Sequence, residues 1–164
     1  RNCMKKIAPL AEQKGVDLKL DCKKTCTLSG DPFWLSQAVE NIIKNAVEHT
    51  AQNSGVQITV TDEKRTVVIR IEDEGEGIPA YIAIGFRILW IRIYKIGKVD
   101  MLDHNTFWFS RGTGEKAGYG IGLSMALDIV KAHHGTLTAG NREQKGAWFE
   151  ISIPVLEGAG TYEV

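Results

Sequence analysis

Two asparagines spaced four residues apart are the first candidates for chemistry in this chain. Asn41 and Asn45 lie in a segment whose apolar residues recur at helical spacing, so their side chains lie on one face, one turn apart, and His49 extends the same stripe. Carboxamide oxygens can bind Mg²⁺, which usually keeps several waters and takes substrate phosphate oxygens as further ligands. For an asparagine pair taken alone, a solvent-exposed polar face is the simpler explanation.

An acidic residue followed by spaced glycines is the second candidate. Asp73 ends an apolar, strand-like segment, and a carboxylate at that point can accept a hydrogen bond from an exocyclic amine. Gly75 and Gly77 have no Cβ and would let a ligand ring approach the backbone closely. An ordinary acidic turn is the alternative for this motif.

A glycine-rich segment directly before a predicted helix is the third candidate. Gly118, Gly120 and Gly122 precede Leu123, and backbone N–H groups at a helix N-terminus bind phosphate oxygens well. Leu123 occupies the last glycine position of the dinucleotide-binding fingerprint, and no βαβ unit surrounds it, so the motif differs from that fingerprint. A glycine hinge is an equally good explanation of this segment alone.

The candidate residues are carried by a mixture of predicted helices and strands. Asp31 is expected to cap the second helix with Pro32 at its first position, and Gly135 is expected to end the third. Strand pairs joined by short turns indicate an α+β fold, with helices on one face of a sheet. Helices are predicted over 4–14, 32–49 and 122–133, and strands over 16–21, 56–61, 66–72, 135–140 and 146–153.

Charge and composition exclude several classes of protein. The 164 residues include 20 basic and 20 acidic side chains, and this balance argues against a nucleic-acid partner and against a polybasic membrane patch. The longest apolar stretch, 81–96, contains three basic residues and is too short and too charged to span a bilayer comfortably. Three cysteines make no disulfide framework, which favours a reduced, cytoplasmic setting.

The order of the three motifs is more specific than any one of them. Residues 41–50, 73–79 and 118–123 resemble the N, G1 and G2 boxes of the catalytic, ATP-binding domain of bacterial sensor histidine kinases. That domain belongs to the superfamily that includes DNA gyrase, MutL and the heat-shock chaperone ATPases. Residues 9–16 and 129–135 match on the flanks.

The resemblance implies a two-layer sandwich of the Bergerat type, with a mixed sheet of about five strands and three main helices on one face. It implies that ATP or ADP binds with Mg²⁺, that Asn45 is the principal metal ligand, and that Asn41 assists through phosphate or water. Asp73 would accept from the adenine amino group. The remaining residues expected at the nucleotide are His49, Gly75, Gly77, Ile78, Gly118, Gly120, Gly122 and Leu123.

A kinase is favoured over a hydrolase by one substitution. Superfamily hydrolases carry a glutamate where this chain has Asn41, and an amide cannot take a proton from water at neutral pH. The resemblance therefore implies transfer of the γ-phosphate to a histidine on a separate dimerisation hairpin of the same protein, and then to a response regulator. A degenerate nucleotide-binding or protein-interaction module and a related protein-serine kinase are the alternatives.

The expected organisation has three parts. Residues 1–14 are the end of a preceding dimerisation helix or a linker, 15–156 form the catalytic domain, and 157–164 are a tail. The lid region, about 80–117, departs from the family pattern, and Arg111 and Lys116 are its candidate phosphate contacts. Without the phosphoacceptor hairpin, this piece is expected to be a monomer that does not autophosphorylate. It would belong to the cytoplasmic portion of a membrane-bound sensor, without direct membrane contact.

Overall fold

A computed structural model describes residues 2–22, 26–63, 65–78, 121–155 and 161–163. This part of the chain contains three helices: α1 (Asn2–Lys14), α2 (Pro32–His49) and α3 (Ile121–Ala132). Its strands are β1 (Asp17–Cys22), β2 (Thr27–Ser29), β3 (Gly55–Glu63), β4 (Thr66–Asp73), β5 (Thr136–Asn141), β6 (Ala147–Pro154) and β7 (Thr161–Glu163). None of the helices described combines the length and the hydrophobicity needed to cross a bilayer.

Five of the strands form one mixed sheet in the order β1-β3-β4-β6-β5. β1 is parallel to β3, and the other neighbours are antiparallel. The helices cover the face that carries the buried side chains, so the predicted α+β sandwich with a mixed five-stranded sheet and three helices is confirmed. A second, two-stranded sheet pairs β2 with β7, and neither of these short strands was predicted from the sequence.

The alternation of β4 determines which side chains face the helices. Every second residue of this strand is buried, beginning with Val67 and continuing through Ile69 and Ile71 to Asp73. The neighbouring strand β6 has the same alternation, and Ile71 lies opposite Phe149 in the antiparallel register. Because side chains in a strand alternate between faces, the final carboxylate of β4 lies on the same face as the aliphatic core.

The helix α2 is central to the helical layer and begins at a well-formed cap. Oδ1 of Asp31 accepts hydrogen bonds from the backbone N–H of Phe33 at 2.8 Å and of Trp34 at 3.1 Å, as the sequence predicted for a cap before Pro32. At the other end, the N–H and hydroxyl of Thr50 both donate to the carbonyl of Ala46. The buried stripe of α2 contains Leu35, Ala38, Ile42, Ile43, Asn45, Ala46 and Val47.

Two sets of polar contacts hold α2 to its neighbouring helices. α1 runs parallel to α2, because Lys6 pairs with Glu40 and Lys14 contacts the carbonyls of Val47 and Glu48, each pair separated by 33 or 34 positions. At the end of α3, Nε2 of His133 accepts from the backbone N–H of Asp31 at 3.0 Å. Since Nε2 accepts, the ring hydrogen is on Nδ1, which donates to Ile129 O.

Candidate active site

The carboxyl half of α2 presents the predicted polar stripe. Asn45 is buried, with 7% of its surface exposed, whereas Asn41 and His49 are partly exposed. The three residues succeed one another at intervals of four, so they line one side of the helix up to its last turn. This placement gives one side of the site a row of amide and imidazole groups.

Asp73 is the most buried ionisable group in this region, with 3% of its surface exposed. Its Oδ1 accepts hydrogen bonds from the backbone N–H of Gly75 at 2.8 Å and of Ala147 at 3.1 Å. Burial raises the pKa of this carboxyl, while the two backbone donors and the nearby His49 and Arg142 oppose that rise. The carboxylate is therefore oriented by the backbone in a setting that excludes water.

The loop that follows Asp73 lies against the end of α2. A Cβ on Gly75 would collide with the carbonyl oxygen of His49 and would lie 2.9 Å from Oδ1 of Asp73. Only glycine therefore fits at this point, and its absence of a side chain lets the loop meet the last turn of the helix. Glu74 adds a second attachment, because its Oε2 accepts from the backbone N–H of Gly55 at 2.9 Å.

The last residue of β5 and the first residue of the turn after it complete the site, and neither was predicted from the sequence. The side chain of Asn141 accepts from the N–H of Ile78 at 2.6 Å and donates to the carbonyl of the same residue at 3.0 Å. Nη1 of Arg142 donates to the carbonyl of Asp73 at 2.9 Å. These contacts join residues 63 and 69 positions apart, and no local motif signals them.

The turn before β6 also approaches Asp73 closely. Gly146 has φ of 98°, in the left-handed region, and a Cβ at this position would collide with the carbonyl oxygen of Asp73. In the sequence, the close approach of this turn to Asp73 is signalled locally only by the presence of a glycine at position 146. It allows the N–H of Ala147 to reach the carboxylate.

The first turn of α3 contacts the asparagine stripe. A Cβ on Gly122 would lie 3.7 Å from Cβ and Cγ of Asn41, and the neighbouring Leu123 is buried. The structure thus brings Gly122 and Asn41, which belong to two different sequence motifs, close together. Gly118, Gly120, Arg111 and Lys116 lie outside the described residues.

The amide oxygens of the site could bind a hard cation such as Mg²⁺ only together with ligands from outside the protein. Over the described ranges, no three His, Cys, Asp or Glu side chains converge as a metal-binding group. The amide oxygens of Asn41 and Asn45 are hard donors, and Mg²⁺ typically completes such a set with waters and phosphate oxygens. The residues present therefore fit Mg²⁺ delivered with a nucleotide better than a cation held by protein alone.

Comparisons with known proteins identify the family. Residues 30–157 match the family described as histidine kinase-, DNA gyrase B-, and HSP90-like ATPase. Among curated relatives, Sporulation kinase A of Bacillus subtilis is 30% identical over 132 residues, which are 80% of this chain and 18% of that protein. Sensor histidine kinase YclK of the same organism is 31% identical over 145 residues, covering 88% of this chain and 28% of the relative.

Solved structures share the fold. The catalytic domain of histidine kinase ThkA superposes with a TM-score of 0.69 at 20% identity, covering 94% of this chain and 90% of that one. Full-length ShkA in complex with AMPPNP superposes with a TM-score of 0.68 at 21% identity, covering 98% of this chain and 30% of that one. The chain thus spans less than a third of the curated relatives named above and nearly all of an isolated catalytic domain.

Proposed function

The chain belongs to the family of histidine kinase-, DNA gyrase B- and HSP90-like ATPases, and from this premise we propose that it binds ATP with Mg²⁺ and donates the γ-phosphate to a histidine on a separate domain. Its curated relatives include a sporulation kinase and a sensor histidine kinase, which supports assigning the site residues to ATP binding and phosphate transfer. The observation that carries the proposal is the buried, backbone-oriented carboxylate of Asp73 beside the asparagine stripe of α2.

The adenine end of the proposed site is centred on Asp73. Because Oδ1 accepts from Gly75 and Ala147, Oδ2 is the oxygen that would accept from the exocyclic amine of adenine. The setting favours an amine over a keto group, since a keto oxygen facing a carboxylate would be repelled. Gly77 and Ile78 would border the base, and Gly75 brings the loop close to α2.

The phosphate end is formed by the asparagine stripe and α3. Mg²⁺, when bound with the nucleotide, would neutralise charge on the phosphates and polarise the transferred group. Asn45 would be its principal protein ligand, with Asn41 acting through phosphate or water and His49 lining the phosphate side. Gly122 supports this assignment because it packs beside Asn41 at the N-terminal end of α3. The proposed phosphate contacts also include Gly118, Gly120, Leu123, Arg111 and Lys116.

The acceptor in the proposed reaction is a protein histidine. Asn41 is the residue beside the phosphate end, and its amide cannot remove a proton from water, so the γ-phosphate is held for another nucleophile. In the proposed organisation, residues 1–14 connect to a phosphoacceptor hairpin of the same protein, 15–156 bind ATP, and 157–164 form a tail. The phosphorylated hairpin would then supply a response regulator on the cytoplasmic side of a sensor.

Calorimetric titration with ADP tests nucleotide binding. Wild type is expected to bind ADP more tightly with Mg²⁺ than with EDTA, because the metal screens the phosphates and joins them to the amides. Asn45→Ala removes the principal ligand and is expected to abolish the Mg²⁺-dependent gain in affinity. Lys44→Gln, on the exposed side of α2, is the matched control and should behave like wild type. Absence of binding by wild type would contradict the proposal and favour an interaction module.

Labelled ATP tests the transfer step. The chain mixed with its phosphoacceptor hairpin is expected to label the hairpin alone, because the histidine nucleophile lies there. Label on the chain itself would contradict the assignment of donor and acceptor. Label on serine of a partner protein, recognised by its stability in acid, would favour the serine kinase.

A further inference from the structure

We propose that Asn141 is a positioning residue of the adenine pocket, which holds residues 75–78 at a set distance from Asp73 and thereby supports discrimination for an amino-bearing base. This inference rests on the nucleotide function proposed above. Asn141 is the last residue of β5, 63 positions from the residue it holds. It belongs to none of the three sequence motifs.

The side chain of Asn141 makes two hydrogen bonds to the backbone of Ile78, and this pair of bonds is called the clamp here. Oδ1 of Asn141 accepts from the N–H of Ile78 at 2.6 Å, and Nδ2 donates to the carbonyl of Ile78 at 3.0 Å. One side-chain amide thus pairs with both backbone groups of one residue, as a neighbouring strand would. Rotation of either peptide plane beside Ile78 breaks one of the two bonds. The clamp therefore orders a stretch of loop that forms no strand ladder.

Gly77 makes the clamp and the loop conformation depend on one another. Its φ is 85°, in the left-handed region, and a Cβ at this position would lie 2.8 Å from Oδ1 of Asn141. The amide therefore lies directly against the backbone of Gly77, the residue proposed to border the base. Without Asn141, the loop would lose the side-chain contact that lies directly against Gly77 and favours this conformation among those open to glycine.

The sheet register connects the clamp to Asp73. Asn141 is the cross-strand partner of Ala147, whose N–H donates to Oδ1 of Asp73. The next residue, Arg142, donates to the carbonyl of Asp73 and, through its N–H, to the carbonyl of Gly146. One end of the β5–β6 hairpin therefore holds both the carboxylate and the loop. The separation between the amine acceptor and the border of the base is set by this hairpin.

A nucleotide-free measurement tests the clamp. In Asn141→Ala the N–H of Ile78 loses its acceptor, so its hydrogen exchange is expected to accelerate at least tenfold, while exchange at Ile71 in the middle of β4 is unchanged. Glu143→Ala, an exposed position in the same turn, is the control and should leave both amides as in wild type. Unchanged exchange at Ile78 in Asn141→Ala would overturn the clamp.

A comparison of ADP with inosine diphosphate tests whether the clamp supports discrimination between bases. Asn141→Ala is expected to weaken ADP binding about tenfold, the order expected for loss of two part-buried hydrogen bonds. Binding of inosine diphosphate, which has a keto group in place of the amine, should change less than twofold, so the ADP preference falls. A merely structural defect would weaken both ligands by the same factor. Asn141→Asp keeps the acceptor but places an oxygen opposite the carbonyl of Ile78, and it should lose the preference likewise.

The outcomes separate the two proposals. If wild type binds neither diphosphate, the proposed function fails and the role in base discrimination fails with it, whereas exchange at Ile78 still decides whether the clamp exists. If wild type prefers ADP and Asn141→Ala keeps the same preference, the proposed function stands and this inference is overturned. Equal weakening of both diphosphates also overturns it, because that result assigns Asn141 to stability alone.

Discussion

Ala147, the first residue of β6, donates its backbone N–H to Oδ1 of Asp73, the last residue of β4, over 3.1 Å. This hydrogen bond orients the carboxylate of Asp73, because the N–H of Ala147 belongs to the sheet and cannot rotate away. A second donor, the N–H of Gly75, comes from the loop that the carboxylate itself begins. The acceptor proposed for adenine is thus held by one contact from the sheet and one from the loop.

Asp73→Asn is expected to separate binding from stability. The variant keeps an acceptor for both backbone donors but presents an amide to the ligand's amine, so ADP affinity should fall at least tenfold, or about 1.4 kcal/mol. Burial of the ionised carboxylate is unfavourable, so the ligand-free variant should unfold with a free energy no lower than that of wild type at neutral pH. Calorimetry and urea unfolding measure the two quantities, with Glu76→Gln, at an exposed position of the same loop, as control.

The pH dependence of the same variant follows from the raised pKa of Asp73. The folded state binds the proton of the Asp73 carboxyl more tightly than the unfolded state does. Ionisation of Asp73 therefore lowers the free energy of unfolding. This loss is absent below the ordinary carboxyl pKa, grows as pH rises, and is constant above the raised pKa of the folded state. The stability of Asp73→Asn relative to wild type should therefore increase from about pH 4 upward and then level off. A difference that decreases over this window would contradict the assignment.

Gly146→Ala is expected to be strongly destabilising. Its φ of 98° and the collision of a Cβ with the carbonyl of Asp73 both exclude a side chain, which should cost about 2 kcal/mol or more of unfolding free energy. Gly55→Ala is the matched control, because a Cβ there meets its nearest atom at 3.7 Å, an ordinary contact. Equal urea midpoints for the two variants would show that the close approach at Gly146 is not required.

Asn41→Glu is expected to introduce water activation. A carboxylate beside the proposed phosphate end can act as a general base where the amide cannot, so the rate of phosphate release from ATP should rise above the wild-type background, by up to about 100-fold. Asn41→Gln lengthens the side chain equally but supplies no base, and its rate should stay at background. Steady-state phosphate release measures both, and equal rates for the two variants would remove the basis for placing Asn41 near the attacking nucleophile.

Lys14→Met tests the attachment of α1 to the end of α2. The ammonium of Lys14 donates to the carbonyls of Val47 and Glu48, which lie in the last turn of the helix where backbone acceptors lack helical partners. Methionine keeps the length of the stem and removes the donors, so unfolding free energy should fall by about 1 kcal/mol. Lys5→Met, on the exposed side of α1, should leave the urea midpoint unchanged. A similar loss in both variants would indicate a general effect of charge.

The sequence predicted the parts of this fold that depend on neighbouring residues. The cap at Asp31, the apolar face of α2 and the alternation that ends at Asp73 are all read from spacings of two to four positions, and each is observed. The two-stranded sheet of β2 and β7 was not predicted, because three-residue strands are too short to show a period. Its pairing joins segments more than 130 positions apart, which no local pattern encodes.

The candidate site also contains residues that the sequence indicated and residues that only the structure revealed. Residue types and their order made Asn41, Asn45 and Asp73 candidates, and the resemblance to histidine kinase catalytic domains assigned them, with His49, to a nucleotide site. Asn141 and Arg142 became visible only in the folded chain, where the register of β6 against β4 and β5 brings their side chains to Ile78 and Asp73. Local spacing is determined by bond geometry and is legible in the sequence, whereas contacts across 63 to 74 positions depend on packing and register. These long-range contacts are therefore decided only by the tertiary structure.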